Sequence, residues 1–179
     1  MRALLQYRYE HLDILDHTLD FGFPCPIDLH CTYSRDQLLV ALDFMRPGTV
    51  REGVKWLPEK KLDVLFVTLN KSDKDYSPTT MYQDYSINKT LFHWESQSTT
   101  SEQSTTGQRY IHHRAQGSRI LLCVREAKKD AWGNTAAYSV LGFVDYVQHT
   151  GSNPMSITWK LADEIPAKFI RKTNQLIVS

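Results

Sequence analysis

Apolar and polar positions change rhythm along the chain. Between Ala3 and Asp20, Leu4, Leu5, Leu12, Leu15 and Leu19 fall at spacings compatible with one helical face. The proline-rich stretch FGFPCPIDLH interrupts that pattern. Ser34 then has the character of an N-cap, with Gln37 at the capping-box position and Leu38, Leu39, Ala41 and Leu42 behind it, before MRPG closes the helix. From Glu52 onward the pattern shortens. VLFVTLN (64–70) predicts a buried strand, and TLFHWESQ, QRYIHH, RILLCVREA, SVLGFVDYVQHT, MSITWKL and NQLIVS predict further strands. Turn signals such as QGS, WGN and TGSNP separate them. A short helix is expected at Ile165–Ile170, with Pro166 at an early helical position. The polar stretch SQSTTSEQSTTG, which carries QSTT twice, reads as a mobile loop between two strands. The fold class expected is mainly β with a few helices (α+β), as a mostly antiparallel sheet or closed barrel. Residues 1–48 are expected to form a helical appendage and residues 49–179 the β domain.

At 179 residues the chain is long enough for one domain with a sizeable core. Its hydrophobic fraction of 41% and charged fraction of 23% are those of an ordinary globular protein. No apolar run approaches the roughly 20 residues of a membrane span, and charge interrupts MRALLQYRYEH too early for a signal peptide. Cytoplasmic location without a membrane partner is the expectation. Cys25, Cys31 and Cys123 form no CxxC pair, which favours free thiols in a reducing compartment and speaks against a structural zinc. No cofactor or metal is expected.

Charge is uneven. Up to Phe44 there are three basic residues against seven acidic ones, and the remainder carries 18 against 13. Such asymmetry permits nucleic-acid binding by the second part, with a solvated surface as the plainer reading.

The segment DYSPTTMYQDYSINKTLFHWESQ (75–97) concentrates the candidate chemistry. Tyr82, Asp84, Tyr85, Phe92 and Trp94 fit a packed core with one satisfied carboxylate. They also fit a pocket for a flat heteroaromatic group, which needs π-faces to stack against and a polar group for its hydrogen-bonding edge. Asp84 is an acceptor suited to an exocyclic amine such as cytosine N4, with Tyr82 and Trp94 as the faces.

The stretch 108–129 holds Arg109, His112, His113, Arg114, Arg119, Arg125, Lys128 and Lys129 against the single acid Glu126. It can neutralise phosphates or serve as an ordinary charged edge. Glu126-Ala127-Lys128 has the ExK form used by metal-dependent nucleases. It needs a second acid to hold Mg²⁺, and such a short motif arises often by chance. No GxSxG, HExxH, P-loop or GxGxxG is present, so the sequence does not announce an enzyme.

The blocks LDVLFVTLNKSDKDYSPTTMYQDY, LFHWESQSTT, TGQRYIHH, ILLCVRE, LGFVDYV and PMSITWKL, in this order, resemble the C-terminal domain of SauUSI-like type IV restriction enzymes. These are large helicase–nuclease proteins that cut modified DNA. The resemblance runs from Tyr33 onward. It implies a target reader similar to the SET-and-RING-associated (SRA) domain, a curved β-barrel that holds a flipped 5-methylcytosine. Residue by residue it implies Tyr82 and Trp94 as stacking faces and Asp84 as the N4 acceptor. Ser96, Gln97 or backbone groups would complete the base edge, and the methyl group would meet a small apolar surface at Thr80 or Met81. Tyr85 stands where that family has its base-reading aspartate, and Trp94 replaces a tyrosine. SQSTTSEQSTTG occupies the place of a glycine-rich finger, and Gly53-Val54-Lys55 resembles the loop that fills the gap left by the base. Lys55, Lys71, Arg109, Arg114, Arg119 and Lys128 are the candidates for contacts to the DNA backbone or grooves.

The expectation is therefore a non-catalytic module for 5-methylcytosine in duplex DNA, with 5-hydroxymethylcytosine as the second candidate. Its partners would be that DNA and the helicase and nuclease domains of a parent endonuclease. The alternatives are a single-stranded DNA or RNA module without methyl selectivity, and a protein-interaction domain with an aromatic core.

Overall fold

The computed structural model describes residues 17–69 and 84–166. The first elements are strands β1 (His17–Thr18), β2 (Asp28–Leu29) and β3 (Thr32–Tyr33), then helix α1 (Arg35–Ala41). Strands β4 (Val54–Leu57), β5 (Leu62–Thr68), β6 (Tyr85–Ser86) and β7 (Leu91–Glu95) follow. Helix α2 (Thr105–Ile111) precedes β8 (Arg119–Arg125), β9 (Tyr138–Thr150) and β10 (Ser156–Leu161).

The local signals at α1 act as the sequence predicts. Ser34 Oγ accepts from the Gln37 N–H at 3.1 Å, and Gln37 Oε1 accepts from the Ser34 N–H at 2.8 Å. Two donors at the helix N-terminus that have no intrahelical partner are satisfied by this reciprocal box. Leu38 and Leu39 are the buried face of the helix.

The main sheet has the order β4-β5-β8-β9-β10-β7-β6, with β3 joined to β9. β5 and β8 run parallel from Leu62↔Arg119 to Thr68↔Arg125, and the other ladders are antiparallel. Every residue of β5 is buried, because alternate side chains enter two cores. On one face Leu62, Val64 and Phe66 join Leu121, Cys123, Tyr138 and Val140. On the other, Leu65 and Val67 join Phe92, Trp94, Tyr110, Leu122, Val124 and Trp159.

The structure departs from the sequence pattern in its sheet closure and in the segment before β8. The sheet is not closed: among the described residues β4 and β6 stand at opposite ends of the ladder order, so it is open rather than a barrel. QRYIHH, expected as a strand, lies largely in α2. Ser104 caps that helix by accepting from the Gly107 N–H at 3.0 Å, so the second half of the expected polar loop is a helix start. Gly107 is required by close packing, since a Cβ there would lie 2.1 Å from the Ser101 carbonyl oxygen.

The predicted helix over Ala3–Asp20 lies outside the described residues up to residue 16, and β1, paired with β2, occupies His17–Thr18. The expected strand NQLIVS and most of the helix after Pro166 also lie outside them. Leu19, Phe21, Ile27, Leu29, Leu38, Leu39 and Leu42, all in the part expected as an appendage, share the first core with β5 and β8. Cys25, Cys31 and Cys123 form no disulfide among the described residues. Among the described residues no helix is long and apolar enough to cross a membrane.

Candidate functional site

β4 accompanies only the first half of β5, from Val54↔Leu65 to Leu57↔Leu62. Beyond Val54 the chain keeps one further bond, from the Phe66 N–H to the Gly53 carbonyl at 2.8 Å. Around the carboxyl half of β5 lies a cavity of about 500 Å³. Because neighbouring strand residues point to opposite faces, this cavity touches both cores. Val67 and Trp94 reach it from one, and Phe66 and Tyr138 from the other.

Three residues of the predicted pocket come together in this cavity: Asp84, Trp94 and Gln97. Asp84 is buried just before β6, and its Oδ1 accepts from the Glu95 N–H at 2.9 Å. That bond fixes a carboxylate beside the end of β7. Trp94 is 5% exposed. Its ring meets Tyr110 edge-on at 5.5 Å and Trp159 at 6.0 Å with a 39° tilt, so it is a core residue whose rim reaches the cavity. Gln97 Nε2 donates to Glu52 Oε2 at 3.1 Å and ties the end of β7 to the loop before β4.

The other predicted pocket residues are placed differently. Tyr85 stacks on His93, with centroids 4.8 Å apart and rings 14° from parallel, and is not among the residues lining the cavity. Ser96 is fully buried; its Oγ accepts from the Met155 N–H at 2.8 Å and donates to the Gln97 carbonyl at 3.3 Å. It joins β7 to the segment before β10 instead of facing the cavity. Thr80, Met81 and Tyr82 lie outside the described residues.

Of the predicted backbone-binding cations, Lys128 lines the cavity and Lys71 lies outside the described residues. Gly53 and Val54 line it too, whereas Lys55 is directed at the Phe44 ring, 4.2 Å from its centroid. Arg109 is committed elsewhere. Its Nε and Nη2 donate to Asp63 at 2.6 and 3.0 Å, and its guanidinium sits 4.2 Å from the Trp56 ring centre. Asp63 is fully buried on β5; burial pushes its carboxyl up, and the Arg109 guanidinium opposes that shift. Arg114, exposed, forms a two-pronged pair with Asp145, which holds that carboxyl below its ordinary value. Arg119 packs 3.5 Å from the Phe143 ring centre and donates to the Asp20 carbonyl at 2.6 Å.

Besides Lys128, the cavity is lined by Arg35 and Arg51, which sequence reasoning missed, and by Arg125, which it placed in the basic stretch but not among the DNA-contacting candidates. Arg125 Nε donates to Thr68 Oγ1 at 2.9 Å, and its guanidinium lies 4.5 Å from the Tyr138 ring centre. Arg35 Nη2 donates to the Tyr138 hydroxyl at 3.3 Å. Arg125 was visible as a charge continuing the inward alternation Leu121, Cys123 at the end of a buried strand. With Lys128 these arginines set four cations against the carboxylates of Glu52, Asp84 and Glu95. The cavity thus combines an aromatic rim, a fixed carboxylate, an amide and a cationic lining. That set suits a planar polar heterocycle attached to an anionic group. Glu126 is exposed, and the described residues contain no group of three His, Cys, Asp or Glu side chains placed to hold a metal ion.

Residues 27–172 match a family described as "Domain of unknown function (DUF3427)". No curated protein matches the chain. Among solved structures, the crystal structure of Arabidopsis thaliana SUVH6 in complex with SAM aligns at 13% identity with a TM-score of 0.48. The alignment covers 94% of this chain and 32% of that one, so the chain spans about a third of that protein's length.

Proposed function

The chain belongs to the DUF3427 family, and from its own cavity we propose that it is a non-catalytic module that binds modified cytosine in duplex DNA after extruding the base. The observation that carries this reading is one cavity that gathers Asp84, Trp94 and Gln97 with Arg51 and Lys128. Extruding a base costs a few kcal/mol of stacking and pairing. An aromatic contact of about 1–3 kcal/mol and hydrogen bonds to the base edge offset that cost. Asp84 accepts from the exocyclic amine, Trp94 contributes an aromatic surface, and the cations meet the sugar–phosphate strand. The preferred ligand is 5-methylcytosine, with the hydroxymethyl form second. One methyl group contributes only about 0.8 kcal/mol of burial, so its selectivity over cytosine is modest. The resemblance to SauUSI-like enzymes gives the module its setting, as target reader for helicase and nuclease domains on a longer chain.

Fluorescence anisotropy with one oligonucleotide in methylated, hydroxymethylated, unmodified and single-stranded form tests this. The methylated duplex should bind tightest and remain uncut in Mg²⁺. Equal affinity for all duplexes, or a preference for the single strand, refutes the reading and favours a stacking module without methyl selectivity. Cleavage that disappears in Glu126→Ala refutes the non-catalytic assignment.

A further inference from the structure

We propose that the Tyr138 end of the cavity is an oxyanion subsite, built by Arg35 and Arg125, that takes one phosphate of the bound nucleic-acid strand. The identity of the ligand rests on the reading of the cavity as a nucleotide site. The subsite itself rests on the two arginines.

Arg125 occupies the position where β8 would place its next inward apolar side chain after Leu121 and Cys123, and it is only 9% exposed. A guanidinium taken out of water needs a counter-charge or a full set of acceptors. Among the described residues Arg125 has neither. It donates to the Thr68 hydroxyl at 2.9 Å and to the Ala136 carbonyl at 3.3 Å, and its Nη2 makes no hydrogen bond to a described residue. Arg35 donates to the Val50 carbonyl at 2.9 Å and to the Tyr138 hydroxyl at 3.3 Å, and its Nε makes none to a described residue. Every described hydrogen-bond partner of the two is neutral.

The contrast with the other arginines is informative. Arg109 and Arg114 each meet a carboxylate through two hydrogen bonds. Two guanidiniums flank one tyrosine, Arg125 over its ring and Arg35 at its hydroxyl, and both line a cavity open to a ligand. The missing component is an anion with several oxygens, for which paired planar forks are suited. The cavity's carboxylates do not supply it: Asp84 accepts from the end of β7, Glu52 from Gln97 and Glu95 from Ser156, and among the described residues no ion pair joins any of them to the two arginines. A base held beside Asp84 and Trp94 carries such an anion through its sugar, as the flanking phosphate.

The test uses the full chain with ¹⁵N-labelled arginine. Inorganic phosphate is titrated against chloride at matched ionic strength while the Nε–H signals of Arg35 and Arg125 are followed. Both should move saturably, and the Arg125 shift should shrink in Arg35→Gln, whose side chain is half-buried and not part of the core. In parallel, the salt dependence of binding to methylated duplex should flatten by about 0.9 in log–log slope for the lost phosphate contact. Arg125→Lys, which keeps the charge but loses the fork, should weaken phosphate binding while leaving that slope near the parent's. Arginine signals unmoved by phosphate, or moved identically in Arg35→Gln, overturn the subsite. If phosphate moves both arginines but modified and plain duplexes bind alike, the base reading fails and the subsite stands. If the modified duplex is preferred but phosphate moves neither, the subsite alone fails.

Discussion

Trp94→Ala probes the fold and the cavity together. The ring is 5% exposed and packs against Tyr110 and Trp159, so its loss removes both apolar burial and two aromatic contacts. Truncating a buried tryptophan costs about 3–5 kcal/mol. Here the space left behind merges with a cavity of about 500 Å³ that water can enter, which argues for the lower end, about 3 kcal/mol. A domain with the usual stability of roughly 5–15 kcal/mol remains folded at 25 °C after that loss but melts earlier. Urea denaturation followed by near-ultraviolet circular dichroism measures the first effect. Anisotropy on the folded variant measures the second: about 1–3 kcal/mol lost against methylated duplex, with plain duplex nearly unchanged. Trp94→Phe keeps an aromatic edge for Tyr110 and should show smaller losses in both. A Trp94→Ala protein within about 1 kcal/mol of the parent would refute the packing argument. One that is folded and still prefers methylated duplex as strongly as the parent would sink the role of Trp94 in base binding.

Four substitutions probe contacts elsewhere in the fold. Arg109→Ala strands the fully buried Asp63 carboxylate and should cost about 3–5 kcal/mol in urea melts, whereas Arg114→Ala breaks an exposed pair and should leave the melt almost unchanged. On DNA, Arg114→Ala should change binding to modified and plain duplex little, because its charge is already matched by Asp145. Gly107→Ala must displace the Ser101 carbonyl, which a new Cβ would approach to 2.1 Å, and should cost about 1–3 kcal/mol by calorimetry; an unchanged melting temperature contradicts the close approach. Burial pushes the His113 imidazole below its ordinary value of 6.5, so its contribution is complete above 6.5 and is lost as pH falls through the lowered value. Stability should therefore drop on the acid side of 6.5, and His113→Gln should flatten that part of the profile.

What could be read from the sequence divides by the range of the interactions that decide it. The capping box at Ser34 involves residues three apart, so its pattern and its geometry agree. Strands β5, β8, β9 and β10 carry apolar runs strong enough to fix their type. α2 was misread because Ser104 sits in a run of hydroxyl residues where several positions qualify as caps. The deciding contact, Gly107 against the Ser101 carbonyl, is made only when the turn has formed. The open sheet was misread because closure depends on whether the end strands pair, and β4 and β6 carry no local pattern that answers this.

The same distinction governs the site. Asp84, Trp94 and Gln97 lie close together in the sequence, so a dense mixture of aromatic and polar residues flagged them before any contact was known. The cations could not be sorted in that way. Arg109 is neutralised by Asp63, 46 residues away, and Arg114 by Asp145, 31 away. Two arginines of the stretch that looked richest in free positive charge are thus spent on the protein's own carboxylates. Arg125, from the end of that stretch, and Arg35, far outside it, have neutral partners. Net charge along a sequence counts ions, whereas a phosphate responds to the ions left over after folding. Among the described residues Arg35, Arg51 and Arg125 lie where β4 ends and the second half of β5 borders a cavity, so the strand that stops short shapes the charge as well as the form of the site.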